Sequence, residues 1–425
     1  MRPGTIEASY LIETPLDPEK VAGIMAGEQS SGTFVRVAGE TDELRARAAA
    51  DVLEVVELES ASAPGLSSAW LERKGTAGPW RRAKVRIAFP VANIGANLPT
   101  LAATVAGNLY DLGEVTGLRL LDVALPQSFR DRFEKPVVGV AGTRESVGAH
   151  GRPLFGTIIK PNVGMRAHEI ADLVGLLCEA GVDFIKDDEI CADPDHAPLA
   201  ERVPAVMARV RVYRERTGRN VMVAFNITDE TDAMRRHAAL VEAEGGSCVM
   251  ASLNWCGLSA MQSLRRATPL AIHGHRNGFG AFARHPLLGI GFDAYQALYR
   301  LAGVDHMHVH GIGGKFADHA DEVEAAARRC LGPLAVDAPP DAYDAVMPAF
   351  SSGQWAGTLP VTARAAGSSD FMFMAGGGIL AHPQGPAAGV ASLRQAWEAV
   401  AAGEALEAAA ATRPELAAAL GFFGR

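Results

Sequence analysis

Cysteine is scarce in this chain, and what is present has no pattern. The five cysteines, Cys178, Cys191, Cys248, Cys256 and Cys330, are an odd number without paired metal-type spacing, which argues against a disulfide framework or a zinc site. The expected setting is a reducing cytoplasm. Long apolar runs are missing too. None reaches the roughly 18–20 residues of a membrane span, and the opening MRPGTIEASY has no apolar signal core. A soluble protein with no membrane partner is expected. Dense Lys/Arg tracts are also absent, and the net charge is −9. That balance argues against nucleic acid and anionic surfaces as main partners, so any anionic ligand must be held by a local basic pocket.

Apolar residues make up 48% and charged ones 21%, a globular composition that excludes disorder for most of the length. A chain of 425 residues suits a small domain plus a barrel of roughly 250 residues. From Gly151 onward, short β-rich runs alternate with helical patterns. The strands read as LFGTIIKP from Leu154, VDFIKDDE from Val182, NVMVAFNIT from Asn220, SCVMASLN from Ser247, PLAIHGHR from Pro269, VDHMHVHGI from Val304, DAVMPAFSSG from Asp344 and SDFMFMAGGGI from Ser369. Between them, residues such as Ile170, Leu173, Val174 and Leu177 fall on one helical stripe. Eight βα units predict a closed parallel (β/α)8 TIM barrel. The preceding segment, with strand-like IEASYLIET and AKVRIAFPVANI around a helical TDELRARAAADVLEVVE, predicts a smaller α+β domain. The expected division is residues 1–133 and 134–425, joined by a Pro/Gly-bearing stretch from Phe133 to Arg152. The Ala-rich end from Leu393 to Leu420 reads as terminal helices.

In a barrel of this kind, chemistry sits at the C-terminal ends of the strands. Polar groups collect at every such end: Lys160; Lys186, Asp187, Asp188 and Glu189; Asn226; Asn254; His273, His275 and Arg276; His306, His308 and His310; Ser351 and Ser352; Gly376, Gly377 and Gly378. Strand alternation puts Lys186 and Asp188 on one face, and Glu189 can turn inward as the strand ends. Two carboxylates at a barrel mouth suit Mg²⁺. A lysine in such a place can lose its proton and react with CO₂ to give a third anionic ligand; the same four residues read equally well as an ion pair capping the next helix. Gly376, Gly377 and Gly378 suit either a phosphate cradle or a plain tight turn. Ser352 beside Gly353 adds weight to the phosphate. Arg276 and His308 suit a second anionic group. Lys160, before Pro161, reads either as a base that removes a proton α to a carbonyl or as a phosphate partner.

The segments GTIIKPNVG, FIKDDE, IHGHR, DHMH, FSSGQ and AGGGILAHP, with AGEQSSGTF and TVAGNLYDL nearer the start, resemble in order the signature segments of ribulose-1,5-bisphosphate carboxylase/oxygenase and its RuBisCO-like relatives. The resemblance spans nearly the whole chain. It implies that Lys186 is the carbamylated lysine, that Asp188 and Glu189 complete the protein ligands of a Mg²⁺ cofactor, and that Lys160 is the enolising base. His275 and Arg276 match the fifth-strand His-Arg pair, and His308 matches a phosphate-contacting histidine. Ser352, Gly376 and Gly377 match substrate-binding positions. Glu28, Thr33 and Asn108 match residues that complete the neighbouring subunit's site, which implies a homodimer.

Departures from the carboxylase pattern argue against CO₂ fixation. Asn162 stands where carboxylases have a second lysine, Phe34 stands in place of Trp beside Thr33, and the loop after the sixth strand reads VHGIGGKFADH. Lys315 aligns with the mobile lysine of that loop in altered surroundings. The resemblance therefore implies enolate chemistry on a phosphorylated sugar derivative. The favoured activity is carbon–carbon cleavage of 3-oxo-isoapionate-4-phosphate, by transcarboxylation and hydrolysis or by decarboxylation. The alternatives are a methionine-salvage enolase or isomerase, which would need an apolar pocket for a methylthio group, and a catalytically silent binding protein. The extra His273 and His310 favour the polar substrate.

Overall fold

The structure, a computed structural model, describes residues 1–32, 37–339 and 342–424. It resolves into two compact units, Met1–Glu134 with Gly278–Ala302 and Pro333–Tyr343, and Lys135–Asn277 with Gly303–Gly332 and Asp344–Arg425. The first unit is built on Thr5–Thr14, whose alternate side chains Ile6, Ala8, Tyr10 and Ile12 are fully buried. This period of two makes one apolar face. The strand lies at the centre of a five-stranded sheet between Arg81–Pro90 and Gly117–Ala124, both antiparallel to it. Asp51–Glu57 and Leu288–Ile290 form the edges. On the opposite face Glu7 and Glu13 pair across strands with Arg86 (2.9 Å) and Arg82 (2.8 Å). The helices Pro18–Glu28 and Leu98–Ala106 supply buried Val21, Met25, Leu98, Leu101 and Val105 to the core, and the Tyr10 hydroxyl donates to the Val105 carbonyl.

The helical reading of TDELRARAAADVLEVVE holds only for its first half. Asp42–Ala48 is helical and is capped by Thr41, which accepts from the Leu44 N–H at 3.1 Å. The second half, Asp51–Glu57, is a strand paired with Arg81–Pro90. Val52, Val55 and Val56 explain the switch, because their branched Cβ atoms favour extended backbone over helix.

The second unit closes eight parallel strands into a barrel. In chain order they are Leu154–Ile158, Phe184–Lys186, Met222–Asn226, Cys248–Ser252, Ala271–His275, His306–His308, Met347–Ser351 and Met372–Met374. Alternate positions point inward and make one core of Leu154, Phe184, Met222, Ala224, Cys248, Met250, Ala271, Met347, Ala349, Met372 and Met374. The next inward positions along several of these strands are the polar ones, so the core alternation itself carries the chemistry to the strand ends.

The stretch from Phe133 to Arg152 is not a plain linker. It contains the helix Gly139–Val147, whose Val140 and Val147 join the barrel core. Two glycines and two β-branched valines give this segment little helix propensity, and tertiary contacts hold it instead. The Asp305 carboxylate accepts the N–H groups of Val138 (2.7 Å), Gly139 (2.8 Å) and Ile272 (2.8 Å) and pairs with Arg265 at 2.8 Å. All five cysteines are free. Among the described residues no helix is long and apolar enough to cross a membrane. The Ala-rich end forms the helices Pro386–Ala402, Leu406–Ala410 and Pro414–Phe423.

Candidate active site

The second barrel strand ends in the cluster expected of it. Lys186 faces inward and is 2% exposed; its amine donates to the Asp187 carbonyl at 2.9 Å and lies 3.9 Å from Glu189 Oε2. Burial pulls its pKa down to about 8, against the opposing pull of Glu189, Asp188 and Asp187. Asp187 points to the other face, where it pairs with Arg202 (3.2 Å) and accepts the Asn226 N–H (2.9 Å). It is a structural group. Asp188 turns back to the mouth, where Lys160 Nζ sits 2.7 Å from its Oδ2 and 2.7 Å from Asn162 Oδ1.

His275 closes this group from the fifth strand. Its Nδ1 accepts the Asn277 N–H at 3.2 Å, which leaves the proton of the neutral ring on Nε2, 3.6 Å from Glu189 Oε2. Burial first, and then Lys186, hold its pKa well below the ordinary value. Lys160, Lys186, Asp188, Glu189 and His275 are thus brought together. Among the described residues no three His, Cys, Asp or Glu side chains form a metal-binding group. The donor set fits a hard divalent cation only if Lys186 contributes an oxygen. A buried amine that gives up its proton easily beside two carboxylates is the chemistry such a ligand requires.

A basic group lies at the ends of the fifth and sixth strands. Arg276 Nη2 is 3.6 Å from Asp318 Oδ1, and His310 Nδ1 bonds the other oxygen of Asp318. His310 stacks on Phe316 with ring centroids 4.4 Å apart. Both His310 (φ 65°) and Ser352 (φ 79°) occupy left-handed backbone, a costly conformation for residues with a Cβ that concentrates at functional sites. Ser352 Oγ accepts the Lys315 N–H at 3.3 Å, while Lys315 Nζ lies 5.4 Å from the centre of the Phe316 ring. The loop after the sixth strand therefore lies against the end of the seventh. Gly311 permits that approach, because a Cβ there would meet Gln354 Nε2 at 2.0 Å.

Gly376 and Gly377 open the short helix Gly376–Leu380, and a Cβ at Gly377 would meet nothing within 4 Å. Gly378 serves packing, since a Cβ there would lie 2.7 Å from the Gln354 carbonyl. His308 is 3% exposed and bonded through both ring nitrogens, to His273 (2.7 Å) and Ser351 (3.0 Å). In the first unit Asn108 Nδ2 donates to Glu28 Oε1 at 3.4 Å. Thr33 and Phe34 lie outside the described residues. Nothing in the sequence alone assigns Asp318 a role. Its signal was an acidic residue close after a glycine-rich turn, and only folding shows which cations it meets.

Comparison with known proteins agrees over the whole length. The model of the ribulose bisphosphate carboxylase large chain catalytic domain matches residues 139–423, and that of its N-terminal domain matches residues 8–129. The crystal structure of a rubisco-like protein from Burkholderia fungorum is 65% identical, with a TM-score of 0.93 over 99% of this chain and 100% of that one. A 3-oxo-isoapionate-4-phosphate transcarboxylase/hydrolase of Xanthobacter autotrophicus is 47% identical over 98% of this chain and 99% of its own. A 3-oxo-isoapionate-4-phosphate decarboxylase of Rhizobium etli is 42% identical over 98% of both chains.

Proposed function

The chain belongs to the ribulose bisphosphate carboxylase large-chain family, and from that premise we propose that it is a RuBisCO-like enzyme cleaving a carbon–carbon bond of 3-oxo-isoapionate-4-phosphate. It works as a magnesium-dependent cytoplasmic homodimer and does not fix CO₂. One observation carries the reading: Lys160 Nζ lies 2.7 Å from Asp188, beside the buried Lys186 and within the group completed by Glu189 and His275. The names of the relatives at 47% and 42% identity support the substrate.

Asp188, Glu189 and a carbamate on Lys186 would hold Mg²⁺, which supplies a hard cation that lowers the energy of negative charge on a substrate oxygen. The carbamate forms when the neutral Lys186 amine adds to CO₂ and releases one proton. In a 3-oxo acid the carbonyl is β to the carboxylate. When the bond between the carboxyl carbon and its neighbour breaks, the carboxyl leaves as CO₂ and the electron pair stays behind as an enolate. Lys160, 41% exposed and held by Asp188 and Asn162, is the group that passes a proton to that carbon. Arg276 and His310 receive an anionic group of the substrate. An apolar methylthio tail would find Arg276, His310 and Asp318 here, and so the methionine-salvage reading is second.

The test is 13C-NMR of 3-oxo-isoapionate-4-phosphate with enzyme, Mg²⁺ and bicarbonate in D₂O. Loss of the carboxylate signal from the sugar acid is expected, with deuterium at the new C–H bond and the 3-oxo carbon retained as a ketone. Turnover of a 5-methylthioribulose-1-phosphate or diketo-methylthiopentyl phosphate substrate, with none of the sugar acid, would overturn the assignment.

A further inference from the structure

Three histidines run through the barrel interior where apolar side chains would ordinarily stand. His273 and His306 are fully buried and His308 nearly so. They form an unbroken series of polar contacts: Thr143 Oγ1 to His306 Nε2 at 2.8 Å, His306 Nδ1 to His273 Nδ1 at 3.4 Å, His273 Nε2 to His308 Nε2 at 2.7 Å, and His308 Nδ1 to Ser351 Oγ at 3.0 Å. Burial drives all three rings toward the neutral form, His306 to about 3. A neutral imidazole has one N–H and one lone pair, so every contact needs one proton and the state of each ring dictates the next.

The Thr143 end sets the direction. Its hydroxyl donates to the Gly139 carbonyl, so its lone pairs must accept from His306 Nε2–H. His306 Nδ1 is then bare and accepts from His273 Nδ1–H. His273 Nε2 in turn accepts from His308 Nε2–H, and the bare His308 Nδ1 accepts from the Ser351 hydroxyl. We propose that this series is a single oriented hydrogen-bond chain that locks His308 as its Nε2–H tautomer and makes Ser351 and Thr143 its positioning residues. Both nitrogens of His308 are consumed internally, so a substrate anion that reaches it must first displace His273 or Ser351. That last step rests on the proposed function, whereas the chain itself does not.

The experiment is histidine side-chain 15N and 13C NMR on the full-length protein with labelled histidine, with signals assigned by H306Q and H308Q. His306 and His308 should appear as Nε2–H tautomers and His273 as the Nδ1–H tautomer. The opposite set, or mixed tautomers, overturns the proposal, and through-space contacts to Thr143 and Ser351 assign His306 and His308 should either variant fail to fold. Thr143→Val should blur the tautomer at His308 through two intervening rings, and Thr143→Ser should restore it; a His308 signal untouched by Thr143→Val counts against the chain. Inorganic phosphate is the second probe. It should shift His310 and leave the His308 tautomer unchanged, and loss of that tautomer with phosphate counts against the lock. Failure to turn over the sugar acid would sink the proposed substrate while leaving these signals unaltered.

Discussion

Acid should unfold the barrel earlier than its carboxylates alone would dictate, and His306 makes the size of the effect calculable. The ring is fully buried, and burial lowers its pKa from 6.5 to about 3. The unfolded chain therefore binds a proton that the folded chain refuses. Because a folded pKa below the unfolded one means more protons on the unfolded state, stability rises with pH inside that window. The full contribution is present above pH 6.5 and drains away as the pH falls toward 3. Between pH 6.5 and 5 the loss is on the order of 2 kcal/mol from His306 alone, from the ratio of proton-binding polynomials. His273 and His308, held well below their ordinary values by the same burial, act in the same direction. The perturbation is His306→Gln, which removes the titrating ring but keeps a polar side chain. Denaturant midpoints of the variant and the parent chain at pH 6.5, 6, 5.5 and 5 give the two slopes. The variant should lose on the order of 2 kcal/mol less over that interval, whatever its stability at neutral pH. Identical slopes would mean that His306 either protonates in place or never titrates on unfolding, and the buried neutral chain would have to be abandoned.

Lys160→Met should lower kcat by about 10²–10⁴-fold and also lower the thermal midpoint, because it strips a partner from Asp188, which is 2% exposed. Chelation should abolish turnover and Mg²⁺ with bicarbonate should restore it, whereas Lys186→Leu should not respond to either addition in the same assay. Arg265→Met strips a buried partner from Asp305 and should cost about 3–5 kcal/mol by equilibrium denaturation. Asp318→Asn should lower KM for the phosphorylated substrate more than it changes kcat, because Asp318 loses its charge beside Arg276 and His310.

The barrel was legible because its strands are short apolar runs at regular intervals, and alternation within each run predicted which residues face inward. Lys186, Asp188 and Glu189 were readable for the same reason: their facing depends only on local pleat. Residues whose roles depend on distant partners were not. Thr143 lies in a segment that looks like linker, yet meets His306, 163 positions away. Ser351 stands at a strand end in the sequence, but nothing local indicates that His308 would face it. The strand Asp51–Glu57 was hidden by acidic and alanine-rich neighbours with the composition of a helix.

Asp318 gives the loop after the sixth strand an anion of its own, tethered over Arg276 and His310. If Arg276 and His310 bind the substrate anion as proposed, an incoming phosphate or carboxylate must evict a resident whose local concentration is fixed by the chain. Measured affinity then reports the contest between two anions, not the grip of the guanidinium on either. Neutral sugars would have nothing with which to win that exchange, so on the proposed function the loop would screen for charge before any bond is broken.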